Sequence, residues 1–225
     1  MIPLNQRLKR VSNYIKGDYL ADIGSDHAYL PIFAIENKLT KKAIAGEVIK
    51  GPFDASKRNV SEHQLSQHID VRLGDGLTVI QDGDAITSIT ICGMGGPLIA
   101  KIISDGANKL FNKPRLVLQS NIQSSAIRIK LTELNYCIIA EEIMEEKGHI
   151  YEIIVAEYCQ KKQSMSQIEL KFGPELVKDK NDLFNKKWQR EKEALLKIKN
   201  NLNPKTHAKR LDEINHELDL FNEVL

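Results

Sequence analysis

The chain has 225 residues, 42% hydrophobic and 28% charged, with a formal net charge of +2. That balance fits one large globular domain, or one domain with an appendage. It excludes nucleic-acid binding by overall charge alone, and no apolar run approaches the roughly 18 residues of a membrane span.

The opening M-I-P-L-N-Q-R-L-K-R lacks the apolar core and cleavage site of a secretory signal. Cys92, Cys137 and Cys159 are odd in number and widely spaced. The expectation is a reduced, cytoplasmic protein without a disulfide framework or a Cys-x-x-Cys zinc site.

Leu4 to Ile15 reads as an amphipathic helix, with Leu4, Leu8, Val11 and Ile15 on one face. Tyr19 to Ile23 reads as a strand, and Leu30 to Asn37 as the start of a helix. A second strand covers Ala43 to Glu47, with a helix from Ala55 to Gln64. A third strand covers Ile69 to Leu73. A fourth covers Ile86 to Cys92, with a helix from Pro97 to Leu110. A fifth covers Arg115 to Gln119, with a helix from Ser124 to Leu134. Cys137 to Met144 and Tyr151 to Tyr158 read as a closing antiparallel hairpin. Ile-, Val- and Leu-rich strands that alternate with helices predict an α/β fold, a doubly wound, mostly parallel Rossmann-like sheet. Its ligand belongs at the carboxyl ends of the strands, where strand order reverses.

After Cys159 the strand pattern stops. Leu176, Leu183, Phe184, Trp188, Leu195, Leu196 and Ile198 form one apolar stripe. Leu211, Ile214, Leu218, Phe221 and Leu225 form another, beyond a break at Pro204. Residues 160–225 are therefore expected to make an antiparallel helical hairpin or coiled coil, appended to a domain of residues 1–159. The hairpin could stabilise the fold, join two copies or touch RNA. A monomer is expected, with a dimer as the alternative.

The first strand runs into A-D-I-G-S-D-H-A-Y-L-P. A dinucleotide fold places Gly-x-Gly-x-x-Gly at this turn, so that pyrophosphate can approach bare backbone. Here only Gly24 is present, followed by Asp26, whose carboxylate repels phosphate. That disfavours a nicotinamide-linked dehydrogenase. Asp22 ends the first strand and Glu47 the second, where an acid accepts from both ribose hydroxyls. Asp75, beside Gly76 after the third strand, suits an adenine amine. Three acids at three successive strand ends indicate a phosphate-free, cationic adenosine ligand, S-adenosylmethionine. The turn Cys92-Gly93-Met94 offers a close-approaching backbone against which a flat base could slide. Gln119 and Asn121, after the fifth strand, could add hydrogen-bond partners. Nothing beside His63 or His68 supplies a metal-ligand spacing, and Cys92 is expected to act as a small hydrophobe.

The D-I-G-S-D-H-A-Y-L-P string, the I-C-G-M-G-G turn and the helical tail together resemble the bacterial tRNA (adenine-22)-N1-methyltransferases, over nearly the whole chain. Ser25 stands where a threonine is frequent in that family. The resemblance implies a class I methyltransferase fold with a C-terminal coiled coil, and adenine N1 in the D-loop region of tRNA as the methyl acceptor. On that basis Asp26 and His27 are the expected catalytic pair. The expected cofactor-binding set is Asp22, Gly24, Glu47, Asp75, Gly76, Cys92 and Gly93. Tyr29, Met94, Gln119 and Asn121 are expected near the base. Arg7, Lys9, Arg10, Lys57 and Arg58, with tail residues Lys186, Lys187 and Arg190, are expected to hold RNA phosphates. The alternatives are methylation of another RNA or a small molecule, and a non-catalytic RNA-binding module.

Overall fold

The structure, a computed structural model, describes residues 4–225. Residue contacts divide the chain into two compact units, Met1–Ser164 and Met165–Leu225.

The first unit is built on seven strands: β1 (Tyr19–Ile23), β2 (Lys42–Glu47), β3 (Ile69–Leu73), β4 (Ser88–Met94), β5 (Arg115–Ser120), β6 (Tyr136–Glu146) and β7 (His149–Tyr158). Their order is β3-β2-β1-β4-β5-β7-β6. The first five strands run parallel, and β7 lies antiparallel between β5 and β6. Strand order reverses between β1 and β4, which opens a crevice at their carboxyl ends. The helices are α1 (Gln6–Ser12), α2 (Tyr29–Glu36), α3 (Lys50–Glu62), α4 (Gly96–Asp105) and α5 (Ser125–Glu133).

Burial explains the strand composition. Every residue of β5 beyond Arg115 is buried, as is every residue of β1 beyond Tyr19. One core cluster joins Leu20, Ala43, Ala45 and Ile69 of the sheet to Ile32 of α2 and Val60 of α3. Another joins Val11 of α1 to Val117, Ile153 and Val155, with Leu4, Leu8 and Ile15 packed against it. The apolar face expected for the first helix is therefore real, although the helix itself is shorter than Leu4 to Ile15.

The β6–β7 turn uses Lys147 (φ 51°) and Gly148 (φ 81°), both left-handed, as a two-residue hairpin with native twist requires. This hairpin corrects the cysteine expectation. Tyr136 pairs with Tyr158, which brings Cys137 and Cys159 together as diagonal neighbours across the strand ends. Their Cα atoms are 5.8 Å apart and a disulfide joins them. Separation along the sequence said nothing about separation across the hairpin.

The second unit contains α6 (Gln167–Phe172), α7 (Asp182–Asn200) and α8 (Ala208–Val224). Ser166 and Glu169 form a capping box at the start of α6. Six residues are too few to show a helical stripe in sequence. Lys180 Nζ, before α7, donates to the Val224 carbonyl at the end of α8 (2.8 Å), so the two long helices run antiparallel. The interior is aromatic: Phe172 meets Trp188 at 4.7 Å and Phe221 at 5.4 Å between ring centroids. Lys187 is buried, its ammonium 3.7 Å from the Trp188 ring centroid and paired with Glu191. It is a packing residue rather than the solvent-facing phosphate contact expected. Among the described residues, no helix is long and apolar enough to cross a membrane.

Candidate active site

A cavity of about 390 Å³ opens at the carboxyl ends of β1 and β4, lined by Asp22, Gly24, Asp26, Tyr29, Gly93 and Arg7 among others. Asp22 is nearly fully buried. Its two carboxylate oxygens accept from the hydroxyls of Ser25 and Thr90, each at 2.6 Å. Asp22 thus locks the turn from beneath. Thr90, a polar residue in the buried run Ser88-Ile89-Thr90-Ile91, was the sequence signal for this partnership.

Burial lifts the Asp22 pKa to about 6, against the lowering effect of its two hydroxyl donors. The native state therefore holds this proton more tightly than the unfolded chain, whose pKa is 3.8. Stability linked to Asp22 is fully present below the unfolded value and is lost as pH rises towards about 6. The stability difference between wild type and Asp22→Asn should accordingly shift against wild type by on the order of 3 kcal/mol across that window. Urea unfolding at a series of pH values reads it, and a flat difference would refute it.

After Gly24 (φ 68°), three consecutive non-glycine residues, Asp26 (φ 47°), His27 (φ 72°) and Ala28 (φ 57°), are left-handed. Such a run is unfavourable and persists only where its surroundings enforce it. Here it brings the backbone of Asp26 and His27 close to the Glu47 carboxylate, where it favours the charged form. Ser56 Oγ also donates to Glu47 (3.1 Å), and Asn59 Nδ2 donates to the His27 carbonyl (2.9 Å). Burial is the main cause that raises the Glu47 pKa. In a dinucleotide fold the same N–H groups would face phosphate. Here a carboxylate stands on that side of the turn and would repel phosphate.

Asp26 remains at the mouth with its side chain 82% exposed, its Oδ1 3.5 Å from His27 Nε2. His27 stacks on Tyr29, with centroids 5.4 Å apart at 20°. Asp75 and Gly76 (φ 53°) line a separate cavity of about 160 Å³ with Leu98 and Ile102.

Gly93 (φ 77°) interrupts the β4–β5 register as a bulge between Cys92 and Met94. Its peptide groups are held on both sides. Gln119 Oε1 accepts from the Gly93 N–H (2.8 Å), and Asn121 Nδ2 donates to the Gly93 carbonyl (2.8 Å). Gln119 also donates to Asn121 (3.2 Å) and accepts from the Arg7 guanidinium. Gln119 and Asn121, expected as open hydrogen-bond partners, are thus committed to the turn. Burial, and secondarily Asp22, pushes the Cys92 thiol pKa up, so it stays protonated.

Arg7 is not the surface cation expected. It lines the pocket and lies 5.3 Å over the Tyr151 ring. Arg10 pairs with Glu142 at 3.0 Å, and Lys57 sits over Phe53 at 4.5 Å. Lys9 and Arg58 are exposed. His63 pairs with Glu36. Among the described residues, no group of three or more His, Cys, Asp or Glu side chains could hold a metal ion.

The donor set fits S-adenosylmethionine: carboxylates for its amine and hydroxyls, glycine backbone against its flat base, and no phosphate cradle. Residues 20–223 match the family model described as tRNA (adenine(22)-N(1))-methyltransferase. A Bacillus subtilis (strain 168) protein of that description is 42% identical over 100% of this chain and 98% of its own. A Streptococcus pneumoniae protein solved with S-adenosyl-L-methionine is 40% identical, with TM-score 0.89 and 100% coverage of both chains. An M. capricolum protein solved with S-adenosyl-homocysteine is 28% identical, with TM-score 0.88 over 98% of this chain and 96% of that one.

Proposed function

This chain belongs to the tRNA (adenine(22)-N(1))-methyltransferase family, and from that premise we infer how its own residues divide the work. It transfers a methyl group from S-adenosylmethionine to N1 of adenine 22 in tRNA. When bound, the cofactor supplies an electrophilic methyl group on sulfur and leaves as S-adenosylhomocysteine.

The observation that carries the assignment of residues is the left-handed run at Asp26–Ala28, whose first two residues turn their backbone toward the Glu47 carboxylate. It leaves carboxylates, not phosphate donors, facing the ligand. Glu47 holds the ribose hydroxyls. Asp75 and Gly76 flank the adenine of the cofactor. Asp22 holds Ser25 in place from below. Cys92 and Gly93 form the backbone wall beside the transferred group.

Adenine N1 has an in-plane lone pair and needs no base to attack. Placement supplies much of the barrier reduction. As the N1–methyl bond forms and the sulfur–methyl bond breaks, positive charge moves to the adenine ring and its C6 amine becomes more acidic. Asp26 stabilises that charge and accepts the amine proton, and His27 relays it to solvent. Tyr29 and Met94 flank the base. Lys9, Arg58 and their neighbours hold the tRNA backbone.

The test is methyl transfer to full-length tRNA transcripts by the full chain, read as S-adenosylhomocysteine release. A transcript with adenine at position 22 should accept the methyl group, and one with guanine there should not. Equal release from both would sink the reading.

A further inference from the structure

We propose that Ile122 is the wedge that fills the tRNA stack when adenine 22 turns into the pocket. This rests on the methyl-transfer reading above. The attacking atom lies on the Watson–Crick edge, and the pocket is concave, so the base must leave its stack to reach it. The vacated gap then needs an apolar occupant, a role that aliphatic side chains fill elsewhere by insertion between base steps.

The topology singles out one side chain. The cofactor side of the crevice is formed by the ends of β1, β2 and β3, where Asp22, Glu47 and Asp75 stand. The end of β5 lies across β4 from them, on the acceptor side. Of the exposed large hydrophobic residues at these ends, Tyr29 lies inside the pocket wall itself, Val48, Ile49 and Leu73 follow or close β2 and β3, and Leu98 lines the cavity with Asp75. Ile122, 62% exposed, follows β5.

A lone exposed isoleucine is ordinary. The mounting of this one is not. The Asn121 N–H donates to the Met94 carbonyl, and the Gly96 N–H donates to the Ile122 carbonyl, both at 2.8 Å. These bonds stitch its loop to the pocket's own β4 turn. A Cβ at Gly96 would lie 2.0 Å from the Gln123 carbonyl oxygen, so only glycine allows the two backbones to approach this closely. Gln123 is left-handed (φ 55°), and Ser120 and Ser124 bond behind the turn at 2.6 Å. The loop backbone is tied to the β4 turn while the Ile122 side chain stands exposed beside it. A β-branched residue there has little χ1 freedom to lose on insertion.

The experiment uses full-length protein with S-adenosylhomocysteine and full-length tRNA carrying 2-aminopurine at position 22, whose fluorescence rises on unstacking. Wild type should give a rise of about threefold or more, and Ile122→Ala should abolish most of it. For adenine-22 tRNA, kcat/KM of Ile122→Ala should fall about tenfold or more, with Ile122→Met restoring both readouts. S-Adenosylhomocysteine affinity by calorimetry should stay at the wild-type value in both variants. An Ile122→Ala variant with wild-type fluorescence and kcat/KM overturns the wedge while leaving the methyl-transfer reading intact, and so does one that loses cofactor affinity. Wild type that methylates adenine 22 without any fluorescence rise also overturns it. Failure of wild type to methylate adenine-22 tRNA at all would instead sink the reading on which the proposal rests.

Discussion

Asp26→Asn should lower kcat for adenine-22 tRNA by about 10²- to 10³-fold while S-adenosylmethionine affinity changes by less than about threefold. The magnitude follows from what binding does to the dielectric around this carboxylate. Asp26 is 82% exposed in the free protein. In water, a unit charge 4 Å away would gain only about 1 kcal/mol from it. A bound base displaces that water, and at an effective dielectric near 20 the same pair is worth about 4 kcal/mol. The gain exists only once the ring has become positive, so it falls on kcat rather than on ground-state binding. Asparagine is the informative replacement because it tolerates the left-handed backbone that Asp26 adopts at φ 47°. It also keeps the backbone that faces Glu47, so the cofactor side of the pocket is preserved. Steady-state kinetics at saturating cofactor, paired with calorimetry, decides the matter. Lost cofactor affinity with unimpaired turnover would place Asp26 in cofactor binding instead.

The sheet was legible because its strands are short Ile-, Val- and Leu-rich runs punctuated by Gly, Asp and Pro. β1 and β3 fall where the sequence placed them. β4 runs on to Met94, beyond the expected end at Cys92, because Gly93 enters the strand as a bulge and pairing resumes after it. The acidic strand ends were legible as a pattern, but not what holds each acid. That Gln119 and Asn121 face inward to Gly93 depends on β4 and β5 being neighbours with this register, which is tertiary information. The same holds for Arg7, whose helix is basic in sequence yet sends this one guanidinium to Gln119. The three left-handed residues at 26–28 could not be anticipated from residue types, since none is glycine. Asp26 and His27 lie with their backbone toward Glu47 at the end of β2, a tertiary proximity that residue types do not reveal.

Arg128→Met should destabilise the protein by about 3–5 kcal/mol, the largest stability effect expected of a single change in the first unit. Arg128 on α5 is wholly buried. Its Nε donates to Glu141 on β6 (2.8 Å), and another guanidinium nitrogen donates to Glu152 on β7 (2.5 Å). Both carboxylate side chains are also buried. Burial opposes the guanidinium charge, but Glu152 and Glu141 outweigh it, and the pKa of Arg128 is raised. Methionine fills much of the same space, so packing loss is small. The damage comes from two carboxylates left in the interior without the cation that neutralises them. The urea midpoint of the variant should therefore recover as pH is lowered and those groups protonate. It should recover further in the triple variant Arg128→Met, Glu141→Leu, Glu152→Leu, because apolar replacement of a whole buried cluster is commonly tolerated. A deficit independent of pH would point to packing instead. The consequence reaches the active site, because Glu152 pairs in register with Ser120 at the end of β5. The cluster thus fixes the strand end from which Asn121 holds Gly93 and Ile122 projects, so the Arg128→Met variant should lose tRNA turnover before it loses its fold.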